Sequence, residues 1–344
     1  MGTGPEAHGT EPPTPVAPTP GPSARRARFG LGLRMFVSAV LLAVLVSKID
    51  FEGAMPRDRH LDTILYFAAA VLTATIGIVL SAWRWQRVLE AFGAHVPLAQ
   101  LTNHYFAGQF LGNVLPSTIG GDVLRVSRSA KTIDSTETAF AAVALERLTG
   151  FLALPLLCLV GFALDPSLLE SRTAWVALLV SGVTLAALGV IVYLAGHPRV
   201  AGRFREHESW MRFIGAAHDG IEHLRGHPRA ALGVLGTALV YQVSVLVTVG
   251  FIVLTLGADV PAVAVIAFVP VVAMAQVVPI SLSGLGVREG MLVLLLHPLG
   301  VSNGQAIGIG LLWYLVMLLV SLLGAPSFAV GGRRRSHRRA DARR

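Results

Sequence analysis

Long runs of apolar residues recur along this chain and restrict it to a membrane fold. Each run approaches the ~20 residues that a helix needs to cross the hydrocarbon core of a bilayer. The runs lie near residues 31–47, 61–83, 139–163, 174–195, 230–256 and 305–329. Two further apolar stretches, 98–115 and 262–299, are interrupted by turn-forming residues. We therefore predict an all-α polytopic integral membrane protein with about six to eight transmembrane helices.

The charged residues support this class and exclude another. Only 14% of the residues are charged, whereas soluble domains carry about 25%. The net charge of +8 could indicate a nucleic-acid partner, but all except two of the 28 Lys and Arg residues are arginine, and they flank the apolar runs. Arginines in such positions set membrane topology and face anionic lipid. We therefore expect no nucleic-acid partner and no separate soluble domain.

The arginine-rich segments also indicate an orientation. If both chain ends and the loop 196–229 are cytoplasmic, the positive-inside rule is satisfied and the loop 164–173 lies outside. Residues 1–30 are rich in Pro and are predicted to be a disordered cytoplasmic N-terminus. Residues 31–330 are predicted to form the transmembrane domain, with its halves joined by the amphipathic segment 196–229. The basic cytoplasmic tail spans residues 331–344.

Two turns inside the apolar stretches share one pattern. Both have the form Pro-x4-Gly-x3-Arg, at residues 116–125 and 279–288. The expected orientation makes the first hairpin enter from the cytoplasm and the second from outside, which predicts an inverted repeat. Paired broken helices of opposite topology build substrate sites near the midplane of many transporters. The alternative is that both turns are ordinary loops.

Charged residues of both signs accompany these turns, and such groups at membrane depth usually face an interior cavity. A guanidinium suits a phosphate oxygen pair, and glycines allow backbone N–H groups to approach the same anion. We therefore expect Arg125 and Arg288 to hold one anionic headgroup between them. The candidate substrate-binding residues are Asn113, Gly120, Gly121, Asp122, Arg125, Glu146, Arg147, Gly284, Gly286, Arg288 and Glu289, and Pro116 and Pro279 are the predicted helix breaks. The alternative is that these charges only pair to fix helix packing.

Other chemistry finds less support in the sequence. His218, His223 and His227 form a cluster, but without cysteines or ordered ligand spacing it is better interpreted as a solvated face than as a metal site. No GxxxxGK[ST] pattern occurs, so the chain lacks that means of using ATP. We expect neither a metal nor a cofactor.

The motifs taken together resemble a known family. They comprise Tyr105, Phe106, Phe110, Asn113, Leu115, Pro116, Ser117, Gly120, Gly121, Asp122 and Arg125, then Glu146, Arg147 and Leu148, then Pro279, Gly284, Gly286, Arg288, Glu289 and Gly290. This ordered pattern resembles the flippase-like membrane domain of lysylphosphatidylglycerol synthases over residues 31–330. The resemblance implies a lipid-translocating, multi-pass domain in a bacterial inner membrane. Full synthases carry a soluble aminoacyl-transferase domain after the membrane part, where this chain has a basic tail, so we expect no lipid-aminoacylating activity.

Three functions are compatible with these features. The expected one is a lipid flippase or transporter that moves an anionic lipid or lipid-linked headgroup between leaflets. A membrane-embedded enzyme acting on a lipid phosphate or polyprenyl carrier is the second, with Asp122, Glu146 and Glu289 as its only candidate bases. The third is an accessory membrane protein with a structural role, which would leave the buried charges without a ligand.

Overall fold

The computed structural model describes residues 61–114, 120–196, 218, 221–222, 226–277 and 284–327. Several predictions fall outside these residues: the N-terminal segment with the first apolar run, both motif prolines Pro116 and Pro279, most of the loop 196–229, and the basic tail.

The described residues form helices and no strands, which confirms the all-α prediction. Nine α-helices are defined in this part of the chain. They are α1 (Leu61–Ala91), α2 (Leu98–Val114), α3 (Gly120–Ile133), α4 (Thr136–Leu164), α5 (Ala174–Gly196), α6 (Pro228–Thr255), α7 (Ala262–Ala275), α8 (Val287–Leu296) and α9 (Asn303–Leu322). Short 3-10 helices at Pro166–Glu170 and His297–Leu299 connect some of them.

Five of these helices, α1, α4, α5, α6 and α9, are long and apolar enough to cross a membrane. They coincide with five of the six predicted runs, so the multi-pass membrane architecture is confirmed. Local signals set their ends. Ser135 accepts a hydrogen bond from the Thr138 amide (3.2 Å) at the start of α4, and Ser302 forms a capping box with Gln305 at the start of α9. Such caps satisfy amide groups that the first helical turn leaves without partners.

The two interrupted stretches form the expected broken-helix hairpins, α2–α3 and α7–α8. In the second hairpin the chain turns at Gly284 (φ +76°) and Gly286 (φ +84°), which adopt a left-handed backbone that side chains disfavour. The opposite membrane topology of the two hairpins remains a prediction.

Small residues bring the central helices together. A Cβ on Gly77 of α1 would lie 3.0 Å from Ser244 Oγ of α6, and the hydroxyls of Thr73 and Thr248 are 3.0 Å apart on the same pair of helices. Where α4 meets α7, a Cβ on Gly161 would lie 2.6 Å from the Ala267 backbone nitrogen. Close backbone approach of this kind drives association where surrounding lipid is as apolar as the helices themselves.

Candidate functional site

A cavity of about 320 Å³ lies between the central helices. It is lined by residues of α1, α2, α3, α4, α6, α7 and α9, and by Val277. On α1 the lining begins at Ala74 and ends at Arg84, ten residues later, which is about 15 Å of helix. On α4 it begins at Glu146 and ends at Leu154. One end of the cavity is therefore charged, and the other is formed by small and apolar side chains.

The charged end is centred on the carboxylate of Glu146. Its Oε1 atom accepts a hydrogen bond from Arg84 Nη2 (2.5 Å) and its Oε2 atom accepts one from Arg125 Nη2. The Tyr105 hydroxyl also donates to Oε1 (3.3 Å). These groups come from α1, α2, α3 and α4, so one carboxylate connects four helices. Because Glu146 is 1% exposed and Arg84 and Arg125 are 5% and 4% exposed, the pairs form away from solvent.

A second carboxylate, Asp122, connects two of the arginines. Its Oδ1 accepts from Arg125 Nη1 (3.4 Å), and its Oδ2 lies 2.6 Å from Arg147 Nη2. Arg147 differs from the other arginines because 46% of its side chain is exposed. Among the residues that the structure describes, the network contains three arginines and two carboxylates, which leaves one positive charge in excess.

Aromatic rings surround the two buried guanidinium groups. Arg125 lies 4.3 Å from the ring centroid of Trp85 and 4.1 Å from that of Tyr105, while Arg84 lies 4.9 Å from that of Tyr241. A ring face attracts a cation, and the attraction strengthens as water is removed. These contacts hold the guanidinium groups in fixed positions.

Two central members of the network, Arg84 and Glu146, lie well inside their helices. Arg84 is seven residues before the last residue of α1, about 10 Å along it, and Glu146 is ten residues after the first residue of α4, about 15 Å along it. Both helices are long and apolar enough to cross a membrane, and we expect the charged end of the cavity to lie within the part that does. Ionisable groups at such depth are costly and are typical of functional sites.

The second motif forms a separate buried pair. Glu289 Oε1 accepts from Arg288 Nε (3.1 Å) and Nη2 (2.8 Å), and its Oε2 accepts from the Gly286 amide (2.6 Å). Arg288 also lies over the rings of Trp313 and Tyr314, at 5.9 and 5.4 Å. Trp313 lines the cavity but Arg288 does not. The expected meeting of Arg125 and Arg288 across one headgroup is therefore not found in the described part of the chain.

The predicted glycine and asparagine residues contact other protein groups, and their role at an anion remains a prediction. A Cβ on Gly121 would meet the Gly108 backbone, and one on Gly284 would lie 2.8 Å from the Gln276 side chain. The amide of Gly286 is already bound by Glu289. Asn113 Nδ2 donates to the Met317 carbonyl (3.5 Å) and so links α2 to α9.

The remaining predicted residues occupy diverse positions. Gly120 is the first residue of α3. Among the histidines, His218 Nε2 lies 3.2 Å from Glu222 Oε2, and His227 is the N-cap of α6. His223 lies outside the described residues.

Arg84 is the functional candidate that the sequence pattern missed. The apolar run ends near residue 83, so the sequence groups Arg84 with the arginines that flank the runs. The helix continues to Ala91, which places Arg84 inside it and against Glu146, 62 positions along the chain. The sequence contains one indication of this position: the residues that follow Arg84 also favour a helix, which predicts that the helix continues past it.

The family model described as the lysylphosphatidylglycerol synthase TM region matches residues 32–324. No curated protein matches the chain.

Proposed function

The chain belongs to the lysylphosphatidylglycerol synthase TM-region family and is a multi-pass membrane protein linked to lipid metabolism, and from this premise we propose that it is a lipid flippase-like transporter. Its substrate is an anionic lipid or lipid-linked headgroup, which it moves between the leaflets of a bacterial inner membrane. The observation that carries the proposal is the positively charged network at one end of a cavity within the membrane-spanning helices.

The shape of the cavity supports an amphiphilic substrate. The headgroup binds at the end formed by Arg84, Arg125, Glu146 and Arg147, and the adjoining part of the lipid lies against side chains such as Ile78 and Leu154. An anion at the charged end loses its water shell but gains guanidinium partners, which suit phosphate oxygens. The volume of about 320 Å³ falls at the lower end of the range for small-molecule sites, so it suits a headgroup and not a whole lipid.

Accessibility distinguishes the roles of the arginines. Arg84 and Arg125 are buried and committed to Glu146, so they position the network. Arg147 lines the cavity while nearly half of its side chain remains exposed, so it is the arginine that first meets a headgroup. Transport is passive or driven by an ion gradient, and both chain ends are cytoplasmic.

A transport assay tests this function. Purified protein is placed in liposomes with a trace of fluorescent phosphatidylglycerol, and an impermeant reductant bleaches the label that reaches the outer leaflet. The parent protein and Arg87→Gln are expected to move the lipid, whereas Arg147→Gln is expected to slow its movement by about tenfold, the loss of roughly one charge-assisted contact.

Arg87 is a matched control because its side chain is 50% exposed and also forms one carboxylate pair, with Glu90. Recovery of the lipid in chemically unchanged form separates transport from an enzymatic activity on the same lipid. Absence of protein-dependent bleaching, or equal rates for the two variants, would refute the proposed function.

A further inference from the structure

Counted over the described part of the chain, the charged network at the cavity has an excess of one positive charge, and this restricts what can bind there. We propose that the site selects a phosphodiester headgroup with one net negative charge, and that Asp122 sets this preference. The inference rests on the proposed function, because it names the substrate class of that transporter.

The charge balance is fixed by contacts within the network. Glu146 uses one oxygen for Arg84 and the other for Arg125, and Asp122 uses one oxygen for Arg125 and the other for Arg147. Both carboxylates are therefore fully engaged by three arginines, and one positive charge remains. The neighbouring pair Arg288–Glu289 is neutral by itself and lines no part of this cavity.

The excess charge is available to a ligand at Arg147. A guanidinium has five N–H donors, and the Arg147 group makes its ion pair with Asp122 through Nη2. Arg147 lines the cavity and is far more exposed than the 4% of Arg125. A phosphate oxygen can therefore reach Arg147 without displacing Glu146 from the buried arginines.

The excess of one positive charge distinguishes between classes of headgroup. Once a ligand covers Arg147 and displaces its water, a charge left uncompensated there is costly, whereas a compensated one is not. A phosphodiester without an amine brings the site to neutrality. A phosphomonoester brings two negative charges, one more than the site can compensate. A zwitterionic headgroup carries an amine that neutralises its own phosphate, so the positive charge of the site stays uncompensated.

The phosphodiester belongs to a membrane lipid. A free phosphodiester would need only the charged end of the cavity, but the lining continues for about 15 Å along α1 to Ala74, with Gly77 and Ile78 between. This uncharged part matches the glycerol and first acyl carbons of a lipid. The deacylated headgroup should therefore bind much more weakly than the lipid.

Competition binding in detergent tests the inference without requiring transport. Native mass spectrometry reports the occupancy of phosphatidylglycerol, phosphatidic acid and phosphatidylethanolamine on the folded protein, at mildly alkaline pH where the phosphomonoester is close to dianionic. The parent should prefer phosphatidylglycerol over both others by about tenfold, the scale of one partly buried charge contact. Asp122→Asn raises the excess charge from one to two and should reverse the preference in favour of phosphatidic acid.

Two further variants complete the test. Arg147→Gln removes the excess charge and should abolish the preference for phosphatidylglycerol over phosphatidylethanolamine; it also carries the test if Asp122→Asn does not fold. Glu90→Gln removes a carboxylate that pairs with Arg87 outside the cavity, and should keep the parent preference. Water-soluble glycerophosphoglycerol should compete only at concentrations far above those of the lipid.

The outcomes separate this inference from the proposed function. An unchanged preference in folded Asp122→Asn or Arg147→Gln, or a change in Glu90→Gln, overturns the charge rule. Equal competition by glycerophosphoglycerol overturns the assignment to a lipid. If the charge variants change the lipid preference but the protein moves no lipid in liposomes, the binding site is supported and the transporter is refuted. If the protein moves lipid but the variants keep the parent preference, the transporter is supported and the charge rule is refuted.

Discussion

Gly121 lies directly against the backbone of Gly108, so that a Cβ on Gly121 would fall 2.5 Å from the Gly108 carbonyl oxygen. This contact joins α3 to α2 near the start of α3. It lets α3 approach closely enough for Arg125, one turn further on, to reach Glu146 of α4. The sequence predicts that Gly121 lies near a ligand, and the structure adds a contact that packs α3 against α2.

Gly121→Ala is therefore expected to destabilise the protein. The added methyl group meets backbone atoms that can move only if the two helices separate, and overpacking of this kind costs about 1–3 kcal/mol. Thermal unfolding in detergent measures the effect. Gly112→Ala, on α2, is the matched control because no atom lies within 4 Å of its Cβ position. Equal unfolding temperatures for the two variants would contradict the close packing.

The broken hairpins could be predicted from the sequence because their signals are local. The predicted stretch 98–115 contains α2 (Leu98–Val114), and the predicted stretch 262–299 contains α7 and α8. Apolar runs define where helices lie, and Pro and Gly mark where they stop. No partner elsewhere in the chain is needed for either signal, so the sequence is sufficient.

Glu146 is expected to be the most sensitive position in the charged network. Glu146→Gln keeps the shape of the side chain but removes the charge that compensates both Arg84 and Arg125. Leaving a buried charge without its partner costs about 3–5 kcal/mol, so the yield of folded protein should fall sharply. Exchanging the charges of Arg125 and Glu146 should not restore it, because the new cation would face Arg84. The surface variant Glu90→Gln should cost less than about 1 kcal/mol. Full recovery in the exchanged double variant would show that Arg84 is not a member of the network.

The pairing of these charges could not be predicted from the sequence. Glu146 is 62 positions from Arg84 and 21 from Arg125, and only the packing of four helices decides that one carboxylate serves both. The motif residues contain three acids, Asp122, Glu146 and Glu289, and three arginines, Arg125, Arg147 and Arg288, but this set leaves out Arg84. With Arg84 included and the pair Arg288–Glu289 set apart, the balance at the cavity becomes positive.

Gly310 of α9 is expected to be essential for the second buried pair. A Cβ at this position would lie 2.9 Å from Cγ of Glu289 and 3.0 Å from its Oε1. Glu289 cannot withdraw easily, because it is held by Arg288 and by the Gly286 amide. Gly310→Ala should therefore lower the unfolding temperature, at a cost of about 1–3 kcal/mol. Gly290→Ala, at a position with no atom within 4 Å of a Cβ, is the control. Tolerance of both substitutions would mean that Glu289 is free to move.

The orientation of the protein can be tested across α4 alone. This helix has 29 residues, about 44 Å, which exceeds the ~30 Å hydrocarbon core. Glu137 lies in its first turn and Glu170 lies in the 3-10 helix that follows it, and both are exposed. We therefore expect them on opposite sides of the membrane. The positive-inside rule places Glu170 outside and Glu137 in the cytoplasm. In a Cys158→Ala background, an impermeant thiol reagent applied to intact cells should label Glu170→Cys and leave Glu137→Cys unlabelled until the membrane is permeabilised. Leu168, in the same loop, is unsuitable because it is buried. The reverse labelling pattern would invert the orientation, and with it the side from which the first hairpin enters, while labelling of both positions in intact cells would show that α4 does not span the membrane.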